Sequence, residues 1–564
     1  MHQPDTTPRH SIYYDYRVYP FSRPPEMDGH SLNHQVVIVG AGPIGMMTAL
    51  NLAQHGIPSV VLEADNQVSH GSRAIVFTRR SMEILQQVGV TARILEKALP
   101  WSRGNSFYRG QCVFRMEAPD TPDSRFRPMY NLQQQYLEEY ILDQVMHSEL
   151  IEMRWASKVM AVEQDDNSVH LTVDTPEGEY RLTSDWLVAA DGARSFVRSA
   201  LNQRMEGASY SGQFVIADIR IDLDFPTERR AYFDPEWNPG NTVLMHREPD
   251  NIWRIDYQLP QGETPEQALS EASLHQRINA QLKMVGIDAP WELDWCSVYS
   301  ARTLTLPDYR VGRVVFTGDA AHILPIFGVR GANTGLQDCQ NLAWKLALHI
   351  KGVAGLDLVD SYSSERVQAA REIIDEAGKS TRFMAPPSKG YRLLRDATLS
   401  LSLQKDFVGP LFHWRTSRAH NYPDSSLNTA ADNAVFASGP ANGMPLENIQ
   451  LSENNYLFDH LDNAFNLLLF NLTPVQLDQM QTLQANLRAE EIPINLLHVT
   501  SRPAEQAEPS VTQLVDISGH MRSAYGAGSG SVYLARPDHH VAARWLSLDV
   551  AAVKQAIDNI LNKA

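Results

Sequence analysis

Short unbroken apolar runs alternate with amphipathic stretches along this chain. The run VVIV at 36–39 leads into the turn Gly40-Ala-Gly42-Pro43-Ile44-Gly45 and then MMTALNLAQHG, which predicts a strand, a tight turn and a helix. A second run, SVVLE at 59–63, predicts the next strand. RAIVFTRRSMEILQQVGV (73–90) reads as a loop entering a helix with Met82, Leu85 and Val88 on one side, and 133–150 reads as a clear helix. Between 155 and 188 the period falls to two, with strands KVMAVEQ, VHLTV and EYRLTSDWLVAAD. Residues 206–300 (QFVIADIRID, TVLMHRE, NIWRIDYQL) are β-rich with one helix near 265–285. RVVFTGD (313–319) predicts a strand, followed by a Gly-rich loop, a long helix over 332–352 and further helices to about 420. Residues 420–450 are rich in Asn, Asp, Ser, Gly and Pro and read as a linker. Beyond it, apolar runs at 466–472, 494–499, 513–518 and 531–545 alternate with helices at 474–489 and 548–562, a small α/β module. Residues 1–34 lack periodicity and are expected to lie as an arm over the folded body.

The glycine spacing gives this pattern its first chemistry. Gly40, Gly42 and Gly45 suit a tight turn, a close approach of backbone to a pyrophosphate, and close helix–strand packing. The helix behind them directs free N–H groups at phosphate, and Glu63, with Ala64 beside it, ends the next strand near the spacing of a ribose acceptor. An adenine dinucleotide is expected, FAD or a nicotinamide cofactor.

Composition narrows the setting. At 564 residues several domains are expected. The net charge of −17 without a basic block disfavours nucleic acid and anionic membranes as partners. Cys112, Cys296 and Cys339 form no CxxC, which argues against a disulfide framework, a cysteine-based zinc site or a dithiol redox pair. A cytoplasmic protein is expected, with no apolar signal core at the N-terminus. His539 and His540, read as neighbours on a strand, point to opposite faces, so no metal site is expected.

Two further motifs discriminate. Asp191-Gly192-Ala193-Arg194 follows the strand WLVAA, and Gly318-Asp319-Ala-Ala-His322 follows VVF and leads through Pro325 into FGVRGAN. A glycine fingerprint, then DG, then GD, each at a strand's end, resemble the FAD-dependent class A aromatic hydroxylases. RPDHHVAAR and its surroundings are similar to the thioredoxin-like tail of the phenol hydroxylase and hydroxyphenylpropionate hydroxylase branch. The resemblance implies an α/β fold: a Rossmann-like FAD-binding domain of the glutathione-reductase type, interleaved with a β-sheet substrate domain, plus a C-terminal thioredoxin-like domain. The implied divisions are an arm at 1–34, FAD-binding parts at 35–110, 155–205 and 301–420, a mixed FAD/substrate segment at 111–154, a substrate-binding β domain at 206–300, a linker at 421–450 and the tail at 451–564. It further implies that Gly40, Gly42, Pro43, Ile44, Gly45, Glu63, Ala64, Arg73, Gln135, Asp191, Arg194, Gly318, Asp319, Pro325, Gly331, Ala332 and Asn333 hold FAD. NADPH or NADH is the transient reductant, O2 the co-substrate, and a homodimer the expected assembly.

The reaction so implied is hydroxylation of a phenolic or related aromatic compound through a flavin C4a-hydroperoxide. The alternatives are an oxygenase of a larger polyketide-like aromatic or antibiotic and, less favoured, a ligand-binding flavoprotein with uncoupled NAD(P)H oxidation. Phenol ionisation needs a base or relay, and the segment Ile75-Val76-Phe77, where the phenol hydroxylase branch has an aspartate nearby, is apolar. The β-rich segment offers Asp218, His246, Arg247, Asp256 and Tyr257, with His246 preferred; Asp218, His246, Tyr257, Pro325 and Arg330 are the expected catalytic set. Trp253 and Tyr257 read equally as sheet core.

Overall fold

The structure, a computed structural model, describes residues 1–564 except 72, 261, 326, 413–415, 430–435, 504–508 and 563–564, so that part of the expected linker lies outside the described residues. Its first sheet has at its centre five parallel strands in the order Val314–Phe316, Gly178–Ala189, Asn33–Val39, Ser59–Leu62 and Ile151–Arg154. Their apolar runs are buried because helices Pro43–Gln54, Gln134–His147 and Gly331–Ile350 pack around them. The register decides the rest: Val39 pairs with Leu62 on one side and Ala189 on the other, and Ala189 pairs with Phe316. Glu63, Gly40, Ala190 and Thr317 therefore begin four neighbouring loops at one carboxyl edge, where ligands bind in open α/β sheets.

The second sheet runs His322–Ile323, Glu292–Thr305, Glu206–Arg220, Ile252–Gln258, Thr242–Arg247, Arg229–Phe233, Arg103–Tyr108 and Gln111–Glu117. Helix Glu271–Met284 covers one face, where Leu274, Ile278 and Leu282 pack against Val215, Ala217, Met245, Ile255 and Tyr257. Strand alternation sends Ile216, Leu244, His246, Arg254 and Asp256 to the other face. Residue 110, where one division was expected, lies in the turn of the hairpin 103–117, at Arg109 (φ 50°) and Gly110 (φ 76°). The hairpin's outer strand position rests on parallel pairing with Arg229–Phe233, more than a hundred residues away, and no local pattern announces that.

Beyond the linker, Thr512–Val515, Ile494–Thr500 and Phe465–Phe470 run parallel, and Val532–Ala535 and Val541–Trp545 complete the sheet antiparallel. Helices Pro474–Ala489 and Val550–Leu561 cover one face together with Trp344 and Leu348 of the long helix. The turn between the last two strands docks this unit. Arg536 donates to both Glu365 oxygens at 2.6 and 3.0 Å and also pairs with Asp538, while Glu365 accepts from Lys345 Nζ and Asn341 Nδ2, each at 2.7 Å. His539 (φ 63°) and His540 belong to that turn and not to a strand; His539 meets Gln87, and His540 Nε2 meets the His420 carbonyl at 3.0 Å. Among the described residues no cluster of three possible metal ligands occurs, and no helix is long and apolar enough to cross a membrane.

Candidate functional site

A cavity of about 420 Å³ opens where the carboxyl edge of the first sheet meets the polar face of the second. Its dinucleotide end is built by sterics. Gly40 has φ 103°, and a Cβ there would stand 2.6 Å from the Ala190 carbonyl; a Cβ on Gly45 would stand 1.9 Å from the Gly40 carbonyl. Gly42 is different, since a Cβ there meets nothing within 4 Å. It caps helix Pro43–Gln54 without a side-chain bond, so the first turn presents backbone N–H groups, and Gly42, Pro43 and Ile44 line the cavity. Ile44 in turn fills the space that glycines leave at 318 and 335.

Glu63 accepts from the Ala41 N–H at 2.7 Å and the Asp65 N–H at 3.0 Å, and burial raises its carboxyl. The arm reaches this edge: His2 Nε2 lies 2.6 Å from the Ala64 carbonyl, Arg9 pairs with Asp65, and the Arg9 N–H donates to Gln67 at 2.9 Å. Arg73 is exposed and lines the cavity. Gln135 does not: its amide donates to the Tyr13 hydroxyl of the arm at 3.0 Å, and Gln134 faces the cavity in its place. Asp191 accepts from the Val197 N–H at 3.0 Å, so Ala190, Gly192 and Ala193 line the wall while its Oδ1 stays buried without a partner. Arg194 is exposed and outside the lining.

Asp319 opens into the cavity, and the protein around it raises its carboxyl. Pro325 is buried behind the lining residues Leu324 and Phe327. The loop then turns through Gly328 (φ 101°) and Val329 (φ 56°), a backbone conformation that costs a β-branched residue on the order of 1–3 kcal/mol. Asn333 pins it: its Oδ1 accepts from the Thr78 N–H at 2.9 Å and the Ser81 hydroxyl at 2.6 Å, and its Nδ2 donates to Val76 and Val329 carbonyls, each at 2.8 Å. That leaves the N-terminal backbone of helix Gly331–Ile350 at the cavity, with Gly331 and Ala332 in its lining and Arg330 ion-paired to Glu376 at 3.8 Å.

The other end carries charge. Arg229, His246, Arg254, Asp256 and Tyr299 line it among Ile216, Leu244 and Phe327. Asp218 of the expected catalytic set lies beneath this lining, its two oxygens held by Arg254 Nε and Nη2 at 2.8 Å each. Tyr257 faces away, packed among the residues under helix Glu271–Met284 with Trp237 edge-on at 5.7 Å. Consecutive strand residues cannot share a face, which separates Tyr257 from Asp256. Burial, then Arg229 and Arg254, push His246 well below its ordinary value and keep it neutral. Burial lowers Arg229 to about 10, and burial raises Tyr299 well above its ordinary value. Arg229, Arg254, Tyr299 and Gln134 were absent from the expected set; only Arg254 carried a signal, two residues before Asp256 on one strand.

The family model for the FAD binding domain matches residues 33–377. The 3-(3-hydroxy-phenyl)propionate/3-hydroxycinnamic acid hydroxylases of Escherichia coli (strain K12) and Shigella sonnei (strain Ss046) are each 27% identical over 547 residues, spanning 94% of this chain and 95% of theirs. Among solved structures, the flavin-dependent monooxygenase PieE in complex with FAD and substrate superposes with a TM-score of 0.79 at 21% identity, over 94% of this chain and all (100%) of that one. Aklavinone-11 hydroxylase with FAD and aklavinone gives a TM-score of 0.75 at 22% identity over 94% of this chain and 100% of that one. Glycine turn, DG and GD segments at one sheet edge, and a match across more than half of the sequence, agree: the chain belongs to the FAD binding domain family.

Proposed function

We propose that this protein is an FAD-dependent aromatic hydroxylase that acts on a phenolic compound with NAD(P)H as reductant and O2 as co-substrate. The observation that carries this reading is that one cavity joins a dinucleotide edge to a buried, charged sheet face. The dinucleotide edge fits FAD. Open space at Gly42 beside unused helix N–H groups suits a pyrophosphate. Arg73 in the lining suits the ring side, Glu63 lies at the same edge outside the lining, the unpartnered Asp191 Oδ1 and the cavity-facing Asp319 suit hydroxyl donors, and the backbone at 331–333 suits the negative edge of a flavin. When bound, FAD supplies the redox chemistry and the electrophilic oxygen. The chain's own part is to orient the ring, exclude water and manage protons. Ile75, Val76, Leu244, Leu324 and Phe327 make the walls that keep water out. Neutral His246 and Tyr299 are hydrogen-bonding partners for a substrate hydroxyl, and Arg229 places positive charge where an anion would lie.

The relatives named as hydroxylases of 3-(3-hydroxy-phenyl)propionate support a phenolic acid as substrate class. The C-terminal sheet order, with a βαβ half and an antiparallel half, supports the thioredoxin-like reading of 451–564, which holds no cysteine and serves docking. A homodimer is part of the same proposal and is checked by light scattering. The test of function is a screen of phenols and phenolic acids for stimulated NAD(P)H oxidation by the yellow protein, with product mass. Gain of one oxygen atom at near-unit coupling is expected; hydrogen peroxide as the only product refutes the proposal.

A further inference from the structure

Resting on that reading, we propose that Asp256 is the proton acceptor that ionises the substrate's phenolic hydroxyl. Asp256 lies on strand Ile252–Gln258, opposite Leu244 on one side and Ile216 on the other, so its direct cross-strand neighbours on the cavity face are apolar. It is only 7% exposed, it lines the cavity, and its Oδ1 has no hydrogen-bond partner. A buried carboxylate oxygen without a donor is costly, and one that faces a cavity is open to a hydrogen-bond donor on a ligand.

The nearest charged group on its own strand is committed elsewhere. On its own strand, Arg254 is clamped by both oxygens of Asp218 at 2.8 Å and lies 3.5 Å from Glu248. From the neighbouring strands come His246, Arg229, Tyr299 and Asp218. Burial raises Asp256 from 3.8 to about 7, with Asp218 adding to the rise and Arg254 and Arg229 opposing it. A base is most effective when its affinity for protons matches the working pH. His246 fails that condition, since burial and the two arginines depress its basicity. Ile75 and Val76 of the lining carry no titratable group, and Arg73 and Arg330 complete its cationic residues. Asp319, the other acid in the lining, stands at the dinucleotide edge, where Gly318 packs on Ile44, and His322, Arg73, Asp338 and Arg198 surround it.

The step moves one proton. The phenol O–H bond breaks, an O–H bond forms on the Asp256 carboxylate, and the electron pair left on the phenolic oxygen spreads to the ortho and para carbons. Arg229 offsets the charge transferred to the substrate. No oxidant enters this step.

The test uses the FAD-loaded enzyme and the phenol that the wild type hydroxylates fastest. Product formation is followed from pH 6 to 10 for the wild type and Asp256→Asn, with bound flavin measured in both. The wild type is expected to rise to a plateau through about pH 7. Asp256→Asn is expected to fall about 10²–10³-fold at pH 7, then to climb roughly tenfold per pH unit toward the ionisation of a free phenol near ~10. A ring-fluorinated analogue already ionised at the assay pH is expected to close most of the gap. Equal plateaus, or an equal deficit with the ionised analogue, overturn the proposal for Asp256 while leaving the hydroxylase reading intact. Absence of oxygenated product from the wild type overturns both.

Discussion

Replacing Asp256 by asparagine should make the protein more stable, by an amount that depends on pH. The folded chain holds this carboxyl at about 7 against an ordinary 3.8, chiefly through burial. Its folded value lies above its unfolded one, so between these limits the native state binds more protons than the unfolded chain, and stability falls as pH rises through that window. At about 1.4 kcal/mol per unit, a rise of roughly three units costs the wild type about 4 kcal/mol at pH 8 and less than half of that at pH 5. Asparagine keeps the shape and removes the charge. Urea titrations of both proteins at equal, saturating FAD, at pH 8 and pH 5, read the difference as a shift in midpoint at constant slope. A gain near 4 kcal/mol that shrinks on acidification is expected. No gain at pH 8, or one of the same size at both pH values, refutes the picture of a carboxylate held ionised against its surroundings. Together with the lost activity, such a gain would mark Asp256 as a residue kept at the expense of stability.

Two further substitutions separate roles that one motif hides. Gly42→Ala meets open space and should leave thermal unfolding of the apoprotein unchanged while weakening flavin retention, whereas Gly45→Ala drives a methyl against the Gly40 carbonyl and should lower both; visible flavin absorbance per protein and apoprotein melting temperature distinguish them. Arg536→Met strips the buried Glu365 and Asp538 of their shared cation, at a cost of about 3–5 kcal/mol. It should expose the connection near 421–450 to limited proteolysis, and a variant as resistant as the wild type would show that this network does not hold the C-terminal unit in place.

The dinucleotide edge was legible because each of its parts is a local pattern: an apolar run, a turn residue whose backbone demand is steric, then a helix. What joined the parts was not local. Gly40, Asp191 and Gly318 come together because Val39, Ala189 and Phe316 are paired across three strands, and pairing of distant strands has no signature within any one of them. Gln135 shows the limit of motif carry-over. One residue is 100° of helix, and here that rotation turns Gln135 to Tyr13 and Gln134 to the cavity. Arm residues 2–16, which carry no periodicity, reach the 64–71 edge through hydrogen bonds that only the assembled chain reveals.

At the sheet face the period of two was enough to sort half of the candidates. It puts His246 with Leu244, and Asp256 with Arg254, and it excludes Tyr257 from any face that holds Asp256. It could not say which polar residue is chemically available, because that depends on charges brought from other strands. Asp218 reaches the same face and is consumed by Arg254; His246 is silenced by burial beside two arginines; Asp256, flanked by leucine and isoleucine, keeps an oxygen free. The same division bears on how such a site can change. The cofactor edge depends on Gly40 and Gly45, which admit no side chain, while the substrate face depends on side chains that project from an intact sheet into a cavity. Substitutions on that face alter charge and shape without touching the turn that holds the dinucleotide, and so one architecture accommodates different aromatic rings above a common edge.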